Sequence, residues 1–196
     1  MATHRRRQRE PDDPGRDLGP AADQESVART ILLTKLTASA KSRRELADAL
    51  AAKDVPPEVA TSVLDRFEQV GLVDDAVFAD LWVRSRHEAR GLSRRALSHE
   101  LRRKGVDDQV IADSLEQIDP DSERAAAEAL VARKLRATTN LDPIKRTRRL
   151  VGMLARKGYP PGLSAAVVRE ALKRDASAAV VTEETQPDLG FGEIED

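Results

Sequence analysis

Residues 42–64 read SRRELADALAAKDVPPEVATSVL, residues 93–115 read SRRALSHELRRKGVDDQVIADSL, and residues 146–168 read RTRRLVGMLARKGYPPGLSAAVV. The three segments lie over one another without a gap, at offsets of 51 and 53 residues. Leu46, Leu97 and Leu150 then coincide, as do Leu50, Leu101 and Leu154, next Lys53, Lys104 and Lys157, and last Val55, Val106 and Tyr159. Self-similarity at such a period means one supersecondary unit used several times. The shared positions say which unit. Two leucines four residues apart share one face of a helix, and the lysine falls in the last turn, where a cation meets the negative end of the helix dipole. Gly105 and Gly158 follow; glycine commonly ends a helix in the left-handed conformation, and the apolar residue after it folds back on the last turn. Asp54 holds the glycine position in the first copy, a departure with a conformational cost unless that turn is built differently. Pro56 and Pro57, Asp107 and Asp108, and Pro160 and Pro161 then open a second helix, since Asp caps helices and Pro suits their first position. Each copy is predicted as helix, tight turn, helix.

A further helix is predicted before each pair. Before the first it covers residues 25–38, with Val27, Ile31, Leu32 and Leu36 apolar at helical spacing, and Ser42 and Glu45 have capping-box spacing for the helix that follows. Before the second, Gly71 stops the preceding helix, Asp74 or Asp75 caps a new one, and Val77, Phe78, Leu81 and Trp82 form its apolar stripe. Before the third, residues 122–136 contribute Ala126, Leu130, Val131 and Leu135. The expectation is nine helices in three units of three.

Composition points the same way. Of 196 residues, 40% are hydrophobic but only 3% aromatic, so the core must be Leu, Val and Ala packed at close range. A charged fraction of 34%, with abundant Ala, Leu, Arg and Glu, is the bias of a helical chain, and almost no strand is expected. The fold class is therefore all-α: three tandem three-helix repeats of helix-turn-helix type, in an elongated or curved array with disordered termini. Residues 1–24 and the acidic residues 176–196 read as disordered tails, flanking repeats at 25–73, 74–119 and 120–175. Cysteine is absent, which removes disulfides and thiolate chemistry and suits a reducing cytoplasm. No apolar run approaches the roughly 18 residues of a membrane span, and the arginines near the N-terminus precede Asp, Pro and Gly instead of an apolar segment. A cytoplasmic monomer with no membrane contact is expected.

Catalytic apparatus is not visible: the chain has no phosphate-binding loop, dinucleotide glycine pattern or nucleophile elbow. His4, His87 and His99 are not spaced as metal ligands. No cofactor and no metal are expected, and the protein reads as a binder and not an enzyme. Phe78 and Trp82 can be imagined as a base-stacking platform, but aromatics four apart on an apolar stripe read first as core; Asp74 and Asp75 read as caps before they read as an acid–base pair. The basic residues are different. Five cations balance five anions in residues 1–24, and residues 175–196 carry seven anions and no cation, so a net charge of −1 leaves residues 25–174 at +6. Arg43, Arg44, Arg94, Arg95, Arg148 and Arg149 recur at the start of the second helix of each repeat, where the helix dipole disfavours cations. Arg84, Arg86, Arg102, Arg103, Lys104, Arg146, Arg156 and Lys157 extend the set. These fourteen are the candidate contacts to an anionic partner, either acidic protein surface or nucleic-acid phosphate.

Residues 71–106, GLVDDAVFADLWVRSRHEARGLSRRALSHELRRKGV, resemble the central signature of the RecX family of recombination regulators. In order stand the acidic pair Asp74 and Asp75, Phe78 and Ala79, Trp82, Arg84 and Arg86, Gly91, then Leu97, Glu100, Leu101, Lys104 and Gly105. The third copy's RLVGMLARKGY, residues 149–159, resembles that family's C-terminal repeat. The resemblance covers residues 25–174 and implies three three-helix repeats that bind the RecA recombinase filament on single-stranded DNA, lodge in its groove and inhibit growth, ATP hydrolysis and strand exchange. Contact with single-stranded DNA would come through that filament. The alternative reading of the helix-turn-helix shape is a regulator that acts directly on duplex DNA. The second helix of each pair, the usual reader, is poor in base-contacting side chains: residues 57–70 offer Arg66 and Gln69, and residues 108–118 offer Gln109 and Gln117.

Overall fold

The computed structural model describes residues 21–184, with side chains described over residues 23–178. Most of the two predicted tails, residues 1–20 and 185–196, lies outside that range. Helices run α1 Ala21–Ala38, α2 Arg43–Ala51, α3 Pro57–Gln69, α4 Asp75–Arg90, α5 Arg94–Arg103, α6 Asp108–Leu115, α7 Pro120–Leu135, α8 Pro143–Arg156 and α9 Pro161–Glu184, with a short 3-10 turn at Arg136–Thr138. Among the described residues there are nine helices and no strand, in three successive triples. Two ends differ from expectation. Helix α1 begins at Ala21, four residues early, and α9 runs nine residues past the expected limit at 175, because the Ala- and Val-rich residues 176–181 carry no breaker before Pro187.

The local signals work as their chemistry requires. Ser42 Oγ accepts from the Glu45 amide at 3.2 Å while the Ser42 amide donates to Glu45 Oε2 at 3.3 Å, a complete capping box. Asp74 caps α4 by accepting from the amides of Ala76 and Val77 at 2.8 and 3.0 Å. Asp119 and Asp142 cap α7 and α8 from their side chains, each followed by Pro. All three turns between the second and third helices are left-handed, at Asp54 (φ 57°), Gly105 (φ 76°) and Gly158 (φ 88°). Asp54 is thus built into the same turn as its glycine counterparts.

The repeat equivalences are also equivalences of burial: the six leucines at 46, 97, 150, 50, 101 and 154 are buried, and so are Val55, Val106 and Tyr159. The stripe on α4 is not the one expected. Phe78, Ala79 and Val83 face inward, whereas Val77 and Leu81 are 54% and 52% exposed. The helix has the expected period with its phase displaced by about one position, since the large apolar residues of this segment sit on both sides of the buried line.

The chain divides into two units, Met1–Val83 with Ser98–Leu115, and Arg84–Leu97 with Glu116–Asp196. In the first, Ala28 and Leu32 of α1, Leu46 and Leu50 of α2, and Val59, Val63, Leu64 and Phe67 of α3 make one core. In the second, Ala127, Leu130 and Val131 of α7 pack with Leu150 and Leu154 of α8, Tyr159, and Val167 and Val168 of α9.

Candidate functional site

One junction, made once inside each unit, decides what the basic residues are free to do. In the first unit the end of α5 sits on the start of α2. Ser42 Oγ donates to the Lys104 carbonyl at 2.6 Å, and Lys104 Nζ reaches Glu45 Oε1 at 2.6 Å. The same ammonium stands 4.2 Å from the Trp82 ring centroid and 5.5 Å from that of Phe78. The approach is so close that a Cβ on Gly105 would lie 2.5 Å from Arg44 Cβ. In the second unit the end of α8 sits on the start of α5. Ser93 N donates to the Lys157 carbonyl at 3.1 Å, Lys157 Nζ donates to the Arg90 carbonyl at 2.6 Å, and the Tyr159 hydroxyl donates to the Gly91 carbonyl at 3.1 Å. A Cβ on Gly158 would lie 2.5 Å from Ser93 Oγ and 3.0 Å from the Ala96 amide nitrogen. Glycine is required at both places for two reasons, backbone conformation and proximity.

The first arginine of the first two pairs belongs to this framework. Arg43 holds Asp65 and Glu68 of α3 with its guanidinium, and its amide donates to Asp75 Oδ1 at 2.8 Å. At the equivalent position, Arg94 Nη1 donates to the Ile118 carbonyl at 2.7 Å and its amide donates to Glu123 Oε1 at 2.9 Å. Each therefore ties the second helix of its repeat to the end of the third and, through the amide, to the first helix of the next repeat. That offsets the unfavourable dipole at these helix starts. Arg146 is likewise engaged, by Asp175 at 2.7 Å and by Thr138 and the Leu135 carbonyl.

These neighbours shift several ionisations. The hydrogen bond from Arg43 to Asp65, with the charges of both carboxylates, raises the guanidinium against the opposing effect of burial. Burial pushes the Glu45 carboxyl up, but Lys104, the Ser42 amide and Lys41 outweigh it and hold the carboxyl below its usual range. Asp75 moves the other way, raised chiefly by burial against the Arg43 amide and charge. Burial, with the charge of Glu123, pushes Tyr159 up to about 12.

The next position points outward in all three copies, although in the third it follows Thr147 and not an arginine. Arg44, Arg95 and Arg148 occupy equivalent positions and all are exposed; Arg44 makes only the i,i+4 pair with Asp48, and the other two make no ion pair among the described residues. Arg103 and Arg156, also equivalent to each other, are exposed and unpaired in the same sense, as are Arg84 and Arg149. Arg102 is exposed and pairs with Asp108 at 2.7 Å; Arg86 is half-buried and partnered. The fourteen candidates thus separate into an engaged set, Arg43, Arg86, Arg94, Lys104, Arg146 and Lys157, and an outward set of the other eight. The aromatic pair is structural too. Phe78 is buried, and Trp82 Nε1 donates to Glu100 at 2.9 Å while its ring carries Lys104. Sequence inspection credits Asp75 with no more than a cap and overlooks Ser93 and Tyr159 as junction residues; the recurrence of Ser at 42 and 93 is the signal that could have found one of them.

Among the described residues no group of three His, Asp or Glu side chains could hold a metal ion, and no helix is long and apolar enough to cross a membrane. The fold defines an all-α protein of three successive three-helix repeats among the described residues. Family models for the first, second and third three-helix domains of RecX match residues 28–67, 74–115 and 121–168 in that order. The chain belongs to the RecX family. It is 53% identical over 156 residues to regulatory protein RecX of Streptomyces lividans, covering 80% of this chain and 83% of that one. With the Thermobifida fusca protein of the same name it shares 48% over 162 residues, covering 83% and 87%. Among solved structures, RecX from Lactobacillus salivarius superposes with a TM-score of 0.68 at 18% identity over 76% of this chain and 97% of that one. A second crystal structure of regulatory protein RecX gives 0.67 at 23% identity over 75% and 72%.

Proposed function

We propose that this protein is a negative regulator of a RecA-type recombinase. It binds the recombinase filament on single-stranded DNA and inhibits filament growth, ATP hydrolysis and strand exchange. It acts as a cytoplasmic monomer and by binding alone, with no catalytic chemistry. Membership in a family whose relatives are named regulatory proteins supports the general role. The observation that carries the contact surface is the recurrence of an outward arginine at one position of all three repeats. Arg43 and Arg94 are consumed by the framework, and Thr147 stands at their position in the third copy, while Arg44, Arg95 and Arg148 at the next position are turned outward. A partner that is itself periodic can meet such a repeated charge, and the outward set also includes Arg84, Arg102, Arg103, Arg149 and Arg156.

The test is recombinase ATP hydrolysis on single-stranded DNA, and strand exchange, with this protein added below stoichiometry. Inhibition is expected, and Arg95→Glu or Arg148→Glu should weaken it at least about tenfold without altering the thermal midpoint, because reversing an exposed interface charge puts like charges together. Arg94→Ala should instead lower stability by about 1.5–3 kcal/mol, the range for a hydrogen bond from a charged group. No effect of the unmodified protein on the recombinase, together with tight sequence-specific binding to duplex DNA across a salt series, would overturn the proposal in favour of a helix-turn-helix regulator.

A further inference from the structure

In the second unit, a hollow of about 190 Å³ opens between the end of α7 and the outer face of α8. Lys134, Arg149 and Arg156 line it, with Thr138 and an apolar floor that includes Leu150 and Met153. No lining residue is acidic, and none of the three cations is engaged by a carboxylate among the described residues. Among the described residues unpaired cations also stand singly elsewhere, at Arg84, Arg95, Arg103 and Arg148, so what sets this hollow apart is that three of them share one opening. Arg43, Arg44, Arg102, Lys104, Arg124 and Arg146 each hold an Asp or Glu. A 530 Å³ hollow between α7 and α9 in the same unit has Glu128 and Asp175 in its lining as well as Arg174. Three like charges around one small opening repel one another, and only an anion placed among them reverses the sign of that term. The Arg156 guanidinium lies back along α8, its Nη1 3.5 Å from where a Cβ on Gly152 would lie.

We infer that this hollow is a phosphate-binding site for the backbone of a nucleic-acid strand. The two oxygens of a carboxylate lie in one plane, whereas the tetrahedral phosphodiester presents its anionic and ester oxygens in several directions, which suits two guanidinium forks and one ammonium set around one opening. The apolar floor suits the sugar that accompanies each phosphate. The site rests on the reading that the protein works on a nucleoprotein filament, but it makes its own contact with the strand, independent of the recombinase.

The probe is an end-labelled oligothymidylate titrated with the full chain, without recombinase, from about 50 to about 200 mM salt. For the triple variant Lys134→Gln, Arg149→Gln, Arg156→Gln, the slope of log K against log salt should fall by about 2, since each phosphate contact on a single strand contributes about 0.7. Low-salt affinity should fall at least tenfold, with the helical circular dichroism unchanged because all three side chains are exposed. Lys53→Gln, at an exposed lysine on α2's trailing turn in the other unit, should leave the slope where it is. An unchanged slope in the triple variant overturns the site. So does competition by polyglutamate as effective as that by unlabelled oligothymidylate, which would make the occupant an acidic protein surface. If the wild type inhibits the recombinase while the triple variant binds the strand normally, the site fails and the regulatory reading stands; if strand binding is lost as expected but the wild type leaves the recombinase untouched, the reverse holds.

Discussion

Replacing Gly105 with alanine separates the two demands made on that position. The first is conformational: at φ 76° any side chain adds about 1–2 kcal/mol of left-handed strain. The second is proximity: the new methyl would meet Arg44 Cβ at 2.5 Å and Cγ at 2.6 Å, and a Cβ is tied to its backbone and cannot swing aside. Overpacking of this kind costs about 1–3 kcal/mol, so Gly105→Ala should lose about 2–5 kcal/mol. Gly71 supplies the control within the same unit, because it has φ 71° and a methyl group added there would meet nothing within 4 Å, leaving strain alone at about 1–2 kcal/mol. Both changes reduce the entropy of the unfolded chain equally, so their difference isolates the contact. Urea denaturation followed through Trp82, the single tryptophan, reads the junction directly, since its ring carries Lys104. Adding Arg44→Gly should recover part of the loss in Gly105→Ala and none in Gly71→Ala. If Gly105→Ala proves no more destabilising than Gly71→Ala, the close approach of α5 to α2 is refuted.

Two further outcomes follow from the second unit. Ser164 is fully buried, and among the described residues its Oγ has no hydrogen-bond partner; an unsatisfied buried hydroxyl is a cost that a methyl group does not carry. Ser164→Ala should therefore raise stability by about 1 kcal/mol in urea denaturation, and a loss of stability would reveal a partner for the hydroxyl. Tyr159, raised to about 12, holds its proton in the folded state across a range where the unfolded chain, near the usual value of about 10, has released it. Its contribution is complete below pH 10 and declines as pH rises toward 12, with about 1.4 kcal/mol lost between pH 9 and pH 11. Tyr159→Phe should flatten that decline, and an unchanged alkaline slope would contradict the burial of the phenol.

What the sequence determined by itself is the repeat: leucines four apart, a left-handed turn, and a capped helix after it. Those are local properties, set by side-chain periodicity and backbone conformation within a dozen residues, and they recur visibly because each copy solves the same local problem. The fourteen basic residues were legible as a group for the same reason. Which of them face outward was not, because that depends on partners far away along the chain: Lys104 meets Glu45, Lys157 meets Arg90, and Arg94 meets Ile118 and Glu123. The phase of α4 was hidden similarly, since Val77 and Leu81 look as apolar as Phe78 and Val83 until packing chooses between them.

The departures from the repeat show most clearly where local information ends. Asp54 and exposed Lys53 stand where the later copies have Gly and an engaged Lys, and among the described residues no repeat precedes them for that turn to approach. Arg146 stands where the earlier copies have a buried Ser, whose hydroxyl at Ser42 and amide at Ser93 meet a lysine carbonyl. From the sequence these were irregularities in a pattern. Tertiary structure supplies the reason for the regular positions: within each unit, the close approach of one helix end to another helix start leaves no room for a side chain at Gly105 or Gly158.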